Sequence, residues 1–315
     1  MIDLPPISVP ITSQSVVNEG QFLSKEITTS AGTRKYKLYI PSGYDATSSY
    51  PLVVMLHGCT QDADDVARGT GLNSIAEEKR VLVAYPEQPA ASNLMKCWNW
   101  YEPVNQRRDE GEPAIIAAIA QEIASGYSVD RRRIYVAGLS AGAAMALSVA
   151  YSYPDIFAAV GIHSGIALGA ASSITEGMAA MQRGAPPTTP LPEIARRTMG
   201  KNCRFVPGIV FQGGTDRVVN FANARNVVDQ LKGLHGNPAA MELSLDSKGT
   251  SEGGYHFTRS VYGKGSNVVE AWVVDELGHA WSGGSTAGTY TDPKGPNAGR
   301  EMFRFFLEHK LEAAS

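Results

Sequence analysis

Short apolar segments that alternate with helical patterns constrain the fold of this chain most. Seven segments rich in β-branched residues predict strands at 36–40, 52–57, 81–85, 134–137, 159–163, 209–212 and 268–274. Helical patterns lie between several of them, at 112–125, 141–153 and 221–234, and a last one covers 298–310. Because consecutive parallel strands need a crossover connection, this order predicts an α/β fold with a mostly parallel sheet and helices on both faces.

The composition predicts one large domain. With 315 residues, 43% of them hydrophobic and 19% charged, the chain can bury a sizeable core. We expect a single α/β domain over 21–315, preceded by a polar, proline-containing arm at 1–20. Segment 164–204 interrupts the alternation with small residues and four prolines, which predicts either a lid at the sheet edge or a plain surface insertion. Glycine-rich segment 241–274 predicts strands joined by loose turns.

Charge and motif content exclude several classes of function. The net charge of -3 gives no basic surplus for a nucleic-acid backbone, and no stretch approaches the roughly 20 apolar residues of a membrane span. The sequence has neither H-E-x-x-H nor G-x-x-x-x-G-K-[ST], so we expect no metal and no other cofactor. Three cysteines allow at most one intramolecular bridge. No secretory signal is visible in the first 20 residues.

A strand-to-helix turn carries the strongest chemical motif. Gly138-Leu139-Ser140-Ala141-Gly142 follows the strand predicted at 134–137 and opens the helix predicted at 141–153. A serine in this G-x-S-x-G context is exposed at a sharp turn, beside the positive end of the helix dipole. For the pentapeptide alone, a glycine-rich turn with an N-cap serine is the alternative. The flanking strand and helix favour a nucleophile.

A hydroxyl nucleophile needs a base and an acid that orients the base. Asp216 is the first candidate for the acid because it follows the strand at 209–212, at the edge where functional groups of parallel sheets collect. Asp275 and Asp292 are rivals. The first lies at the end of its own predicted strand, where capping a turn is the alternative role, and the second lies beside a proline in a loop. With Asp216, the chain order is Ser, Asp, His, as this motif predicts.

Six histidines compete for the role of base, and we assign it to His279. This residue lies on a loop between the last predicted strand and the C-terminal helix, after both Ser140 and Asp216. Of the others, two are expected to face solvent at helix ends: His235 and His309. His256 lies in a predicted edge strand, and His57 belongs to the motif described next. His163 ends a predicted strand and is a candidate to line the cleft, with a hydrogen-bonded structural role as the favoured alternative.

Leu56-His57-Gly58-Cys59-Thr60-Gln61 directly follows a predicted strand. In an α/β-hydrolase this position supplies one backbone N–H group that stabilises the oxyanion of the tetrahedral intermediate. We assign that donor to Cys59 and the second donor to Ala141, and we place His57 among the substrate contacts. A turn that merely ends the strand is the alternative.

Several motifs together give the chain a family resemblance. His57-Gly58-Cys59-Thr60-Gln61, Cys97-Trp98-Asn99-Trp100-Tyr101, the serine motif and Gly278-His279-Ala280-Trp281-Ser282-Gly283-Gly284 resemble those of the polyhydroxybutyrate depolymerase family of esterases, which is related to feruloyl and acetylxylan esterases. One departure is Ala143, where a further glycine often follows the serine motif.

The resemblance implies roles for residues and a location. It implies the nucleophile Ser140, the acid Asp216 and the base His279. It also implies a disulfide between Cys59 and Cys97, with Cys203 free. Such a bridge favours an extracellular or periplasmic protein, whereas a cytoplasmic one would keep its thiols reduced.

Two tryptophans near these motifs are candidates for substrate contact. Trp281 lies two residues after the proposed base, and Trp98 is drawn to the cleft if Cys97 bonds to Cys59. Core packing is the alternative for both side chains.

The sequence therefore predicts a serine ester hydrolase that forms an acyl-enzyme and acts on a poly(3-hydroxybutyrate)-type polyester or its oligomers. The same groups suit a feruloyl or acetyl ester of plant polysaccharide, and the sequence does not separate these substrates. A non-catalytic binding protein on a hydrolase fold is the third hypothesis, and the presence of all three catalytic residue types disfavours it.

Overall fold

The computed structural model describes residues 19–312, so the arm expected at 1–20 lies almost wholly outside the described residues. Its strands are β1 Gln21–Thr29, β2 Gly32–Ile40, β3 Tyr50–Leu56, β4 Leu82–Pro86, β5 Val129–Leu139, β6 Ala159–His163, β7 Gly208–Gly213, β8 Leu243–Thr250, β9 His256–Lys264, β10 Asn267–Val274, β11 Trp281–Ser282 and β12 Thr291–Asp292. Its helices are α1 Ala63–Thr70, α2 Leu72–Lys79, α3 Gly111–Gly126, α4 Ala141–Ser152, α5 Ile174–Arg183, α6 Leu191–Met199, α7 Ala222–Gly233 and α8 Ala298–Leu307.

Ten strands form one sheet in the order β1-β2-β4-β3-β5-β6-β7-β10-β9-β8. The six strands from β4 to β10 in this order are parallel to one another. Antiparallel strands extend the sheet at both ends. The predicted α/β class with a mostly parallel sheet is confirmed. β11 and β12 form a separate two-stranded sheet.

Burial explains which strands the sequence predicted well. β3, β4, β6 and β7 are buried along their whole length, because helices cover both faces of a parallel sheet, and such strands are continuous apolar runs. β1 and β8 are edge strands with exposed polar residues. β1 was not predicted from the sequence, because its polar residues leave no continuous apolar run.

Two apolar layers lie on the two faces of the sheet. Side chains of α3, α4, α6 and α7 pack in one layer, and those of α1, α2 and α8 pack in the other. α4, which begins directly after Ser140, is buried along its whole length. The turn before α4 is therefore fixed by the packing of this buried helix. No helix in the described part of the chain is long and apolar enough to cross a membrane.

Segment 164–204 contains α5 and α6 and is fixed to the domain at two points. The buried amide of Gln230, on α7, accepts a hydrogen bond from Leu168 N and donates to Leu168 O and Leu191 O. α5 leaves Ile174 and Met178 exposed. Its role as a lid stays a prediction.

Candidate active site

Ser140 occupies a tight turn between β5 and α4. Its backbone has φ 57° and ψ −122°, a conformation that costs a non-glycine residue roughly 1–3 kcal/mol. The two flanking glycines allow the helix to approach the sheet, since a Cβ on Gly142 would lie 2.3 Å from Leu56 O and one on Gly138 would lie 2.3 Å from Gly142 C. The turn therefore requires glycine at both positions, as the G-x-S-x-G motif has.

The structure brings together the three residues that the sequence singled out. His279 Nε2 lies 3.0 Å from Ser140 Oγ, and His279 Nδ1 lies 2.8 Å from Asp216 Oδ2. An ionised carboxylate only accepts hydrogen bonds, so Nδ1 carries the proton and Nε2 is free to accept the serine hydroxyl. This is the geometry in which an imidazole can take a proton from a serine.

The Asp216 carboxylate is fixed and kept ionised by its hydrogen bonds. Its side chain is fully buried. It accepts bonds from Val218 N, Val219 N and Gln212 Nε2 as well as from His279. Burial alone would raise the pKa of Asp216, but the hydrogen bonds from His279 and from these backbone groups outweigh it and lower the pKa.

The rival acids do not contact His279. The Asp292 carboxylate accepts hydrogen bonds from the Tyr255 hydroxyl and from Lys294 N. Asp275 directly follows β10 and is exposed.

Two further histidines form hydrogen bonds with backbone groups. The His163 ring, completely buried, accepts Ser282 N at Nε2, and burial lowers its pKa to about 3. The prediction that His309 faces solvent is wrong. Its Nδ1 donates to Phe305 O at 2.7 Å, and the chain beyond α8 covers it as Leu311 N bonds Arg132 O.

The loop after β3 brings Cys59 beside Ser140 and Ala141. Within residues 19–312, neither Cys59 N nor Ala141 N donates to another residue, so both are available to a ligand. The Gln61 side chain shapes the loop: its Oε1 accepts Gly58 N, and its Nε2 donates to Asp65 and to Thr289 O.

The disulfide implied by the resemblance is present. Cys59 and Cys97 are bonded, and Cys203 is free and exposed. Thr60 N donates to Met95 O at 2.6 Å, which adds a second link between the Cys59 loop and the Cys97 loop. The proposed oxyanion donor Cys59 thus belongs to a cross-linked pair of loops.

Three predicted substrate contacts need correction, because His57, Trp98 and Trp281 are all completely buried. His57 donates from Nδ1 to Gly58 O and accepts Gln88 N at Nε2, and burial lowers its pKa to about 4. The Trp98 ring packs against His57 in the core, at 5.6 Å between centroids.

Trp281 turns inward and stacks on His163, with 5.0 Å between ring centroids. The reason is a tight turn in which Ala280 N bonds Gly278 O, so the residue two positions after His279 does not share its direction. Trp281 is therefore a packing residue.

An apolar pocket of about 230 Å³ opens beside Ser140. α5 forms one part of its wall, and the disulfide and the aromatic residues that follow Cys97 form another part. Its lining is Cys59, Asn93, Met95, Cys97, Trp100, Tyr101, Ser140, Ala141, Ile166, Ile174, Gly177, Met178, Met181 and Val219. Trp100, rather than Trp98, is the tryptophan of that loop that faces the pocket.

The residues that support the wall formed by the segment after Cys97 were not predicted from the sequence. Glu112, on α3, is buried and accepts hydrogen bonds from Asn99 N and Asn99 Nδ2, and from the Gln88 side chain. Burial raises the pKa of Glu112, and its hydrogen bonds oppose this effect. Gln88 Nε2 also donates to Cys97 O. No sequence signal distinguished this glutamate from a surface residue near a helix start.

Tyr290 was not considered from the sequence. It is 47% exposed, and its ring centroid lies 6.5 Å from that of His279. Within residues 19–312, no group of three or more His, Cys, Asp or Glu side chains is placed to hold a metal ion.

The fold and this site define a protein of the α/β-hydrolase class with a hydrogen-bonded Ser-His-Asp chain. Residues 34–246 match the family model described as esterase PHB depolymerase, and the chain belongs to that family. Poly(3-hydroxyalkanoate) depolymerase C of Paucimonas lemoignei is 32% identical over 292 residues, which cover 91% of this chain and 66% of that protein. Feruloyl esterase B of Thermothelomyces thermophilus is 33% identical over 136 residues, covering 43% of this chain and 45% of that protein. This chain thus spans less than two thirds of the length of either relative.

Solved structures show the same fold. An acetyl xylan esterase from Aspergillus awamori matches with a TM-score of 0.71 at 20% identity, covering 92% of this chain and 99% of that chain. An S-formylglutathione hydrolase from Agrobacterium tumefaciens matches with a TM-score of 0.58 at 15% identity, covering 95% and 98% of the two chains. At these identities the likeness concerns the fold alone.

Proposed function

We propose that this protein is a serine carboxylic ester hydrolase that acts through an acyl-enzyme on Ser140. The observation that carries the proposal is the hydrogen-bonded chain from Ser140 Oγ through His279 to Asp216. Ser140, at one end of this chain, also lines an apolar pocket. Family membership supports the same reaction type.

In acylation, Ser140 Oγ attacks the ester carbonyl carbon while its proton moves to His279 Nε2. The oxygen of the tetrahedral intermediate accepts hydrogen bonds from Cys59 N and Ala141 N, and each such donor lowers the barrier by on the order of 3 kcal/mol. The carbon–oxygen bond to the alcohol then breaks, and the proton on Nε2 passes to the leaving oxygen. Asp216 stabilises the imidazolium that exists between the two proton transfers.

Deacylation repeats these steps with water as the nucleophile. His279 takes a proton from the water, the acyl carbon is attacked, and the bond to Ser140 Oγ breaks with return of the proton. The products are an acid and an alcohol, and no cofactor takes part.

Exposed apolar side chains around the site favour a polyester substrate over a sugar-linked one. Six large apolar residues in or next to the site are exposed. Some line the pocket, and the others neighbour its lining or the catalytic residues: Leu94, Met95, Ile174, Met178, Val218 and Tyr290. Such a rim gains free energy by covering the methyl and methylene groups of a hydroxyalkanoate chain, at roughly 25 cal/mol per Å². A polysaccharide would instead need polar groups to pair with its hydroxyls. We therefore propose 3-hydroxybutyrate oligomers or polymer as the substrate.

A panel of soluble esters tests this choice. The wild type and Ser140→Ala are assayed on 3-hydroxybutyrate trimer, methyl ferulate and acetylated xylan. We expect the wild type to have its highest kcat/KM on the 3-hydroxybutyrate trimer. Ser140→Ala should lose turnover of all three esters. A preference for methyl ferulate or acetylated xylan would replace the polyester with the plant-ester alternative.

We also propose an extracellular or periplasmic location. The Cys59–Cys97 disulfide supports it, because such bonds persist in oxidising compartments.

A further inference from the structure

Tyr290 combines exposure with a constrained backbone at the edge of the catalytic residues. Its φ is 51°, in the left-handed region that bulky side chains rarely adopt, and the residue is nevertheless 47% exposed. Such strain persists only where neighbouring structure imposes it, and it is concentrated at functional sites.

The neighbouring structure that imposes it is visible on both sides of the residue. Trp281 N donates to Tyr290 O at 2.7 Å, and the next residue, Thr291, pairs with Trp281 between β11 and β12. On the other side, Thr289 N donates to Asp65 Oδ1. The backbone is thus held independently of the ring, which leaves the ring free to contact a ligand.

The ring lies between the loop of the proposed base and the loop of the proposed oxyanion donor. It meets the His279 ring edge to face, at 73° between planes, and its hydroxyl oxygen lies 3.4 Å from Thr60 Oγ. Neither Tyr290 nor His279 belongs to the lining of the 230 Å³ pocket. The pocket therefore borders Ser140, whereas Tyr290 borders His279, and these are two different regions of the site.

The stereochemistry of the tetrahedral intermediate indicates which part of the ester each of these two regions contacts. The carbon attached to Ser140 Oγ carries three other groups: the oxyanion, the leaving alkoxide and the acyl chain. The oxyanion faces Cys59 N and Ala141 N, and the alkoxide oxygen must face His279 Nε2 to receive its proton. The acyl chain takes the remaining direction, where the apolar pocket opens beside Ser140 and Ala141.

We propose that Tyr290 contacts the alcohol part of the ester and that the 230 Å³ pocket holds the acyl part, an inference that rests on the proposed ester hydrolysis. The ligand class that fits Tyr290 is an apolar or aromatic alcohol group, including the next hydroxyacid unit of an oligomer. The ring covers that group as it leaves. Tyr290 then determines specificity for the alcohol, and the pocket determines specificity for the acyl chain.

Two ratios of kcat/KM test the assignment. The alcohol ratio compares benzyl butyrate with methyl butyrate, and the acyl ratio compares benzyl hexanoate with benzyl acetate. Tyr290→Ala is expected to lower the alcohol ratio about tenfold and to change the acyl ratio less than twofold, as expected when an aromatic contact is lost. Met181→Ala, in the pocket wall, is expected to change the acyl ratio and to preserve the alcohol ratio.

Control variants keep the test interpretable. Tyr290→Phe retains the ring and should keep most of the alcohol ratio, whereas Leu243→Ala changes an exposed side chain on β8, outside the proposed subsites, and should alter neither ratio. Equal losses on all esters in Tyr290→Ala, or a change confined to the acyl ratio, would overturn the assignment. If the wild type hydrolyses none of the four esters, the proposed function fails before any variant is compared.

Discussion

Residues of similar type near Ser140 have separate tasks, which follow from what each side chain touches. His279 is partly exposed and reaches both Ser140 and Asp216. His163 and His57 are buried, and each ring accepts a backbone N–H at Nε2. The first arrangement suits the proton transfer that we propose for His279, whereas the second keeps a neutral ring that binds a backbone N–H group.

Trp281→Ala should lower stability and affect all esters alike. The side chain is completely buried against His163, and truncation of a buried tryptophan typically costs about 3–5 kcal/mol. Urea unfolding should show this loss, and kcat/KM for short and long esters should fall by the same factor. Trp281→Phe is the matched variant and should recover part of the stability. A stable Trp281→Ala that loses only long substrates would show that the ring contacts substrate.

The buried histidines predict a loss of stability in acid. The pKa of His57 is lowered to about 4 and that of His163 to about 3, against about 6.5 for an unfolded histidine. The unfolded chain therefore binds these protons first, so the contribution is full above about pH 6.5 and falls towards pH 4. Each ring should remove about 1.4 kcal/mol per pH unit in this range.

Urea unfolding between pH 7.5 and pH 4.5 measures this slope. In His57→Gln, the change of unfolding free energy with pH should be smaller than in the wild type by the contribution of the His57 ring. An unchanged slope in this variant would mean that His57 is not held neutral in the folded protein.

At the scale of elements, the loop that contains Cys59 is held by contacts with neighbouring parts of the chain. Cys59 is bonded to Cys97, and Thr60 N is bonded to Met95 O. Glu112, on α3, in turn holds Asn99, so a helix start supports the pocket wall. Loss of the cross-link should therefore disturb both stability and catalysis.

A variant with both Cys59→Ser and Cys97→Ser is expected to lose about 4 kcal/mol of unfolding free energy, since the bond closes a loop across 38 residues. Its kcat should fall because the loop that carries the proposed oxyanion donor Cys59 is less constrained. Cys203→Ser, at the free and exposed cysteine, is the control and should match the wild type. Three titratable thiols in the denatured, unreduced wild type would contradict the bond.

The elements that the sequence predicted well are those whose pattern is set by burial. The apolar runs of β3 and β6 and the apolar length of α4 are direct consequences of two covered sheet faces. α1 and α2 were not predicted, because each has only eight residues, too few to show a clear period. β1 was missed because it lies at the edge of the sheet, where polar residues are tolerated.

At the scale of the whole molecule, the site is a consequence of parallel strands. The Cys59 loop follows β3, Ser140 follows β5, Asp216 lies after β7 and His279 lies after β10. Parallel neighbours end at the same edge, so residues 139 positions apart in the chain come within 3.0 Å. Chain order and strand ends were therefore sufficient to predict the Ser-His-Asp group from sequence.

Side-chain direction in the connecting segments was not predictable in this way. Trp281 lies on β11 and Tyr290 directly precedes β12, the strand that pairs with β11, and the sequence favoured Trp281 for the cleft. The turn at Gly278–Ala280 and the positive φ of Tyr290 reverse that expectation. The backbone beside Tyr290 is held by a distant part of the chain, since Thr289 N donates to Asp65 Oδ1, and no local sequence pattern contains such a contact.

The central claim is that Ser140, activated by His279, attacks an ester. The most direct measurement is turnover of 4-nitrophenyl butyrate by the wild type and by Ser140→Ala, with unfolding by heat followed for both. The account predicts measurable turnover by the wild type and a loss of at least about a thousandfold in kcat for Ser140→Ala, with an unchanged fold. Turnover by Ser140→Ala within tenfold of the wild type would contradict it.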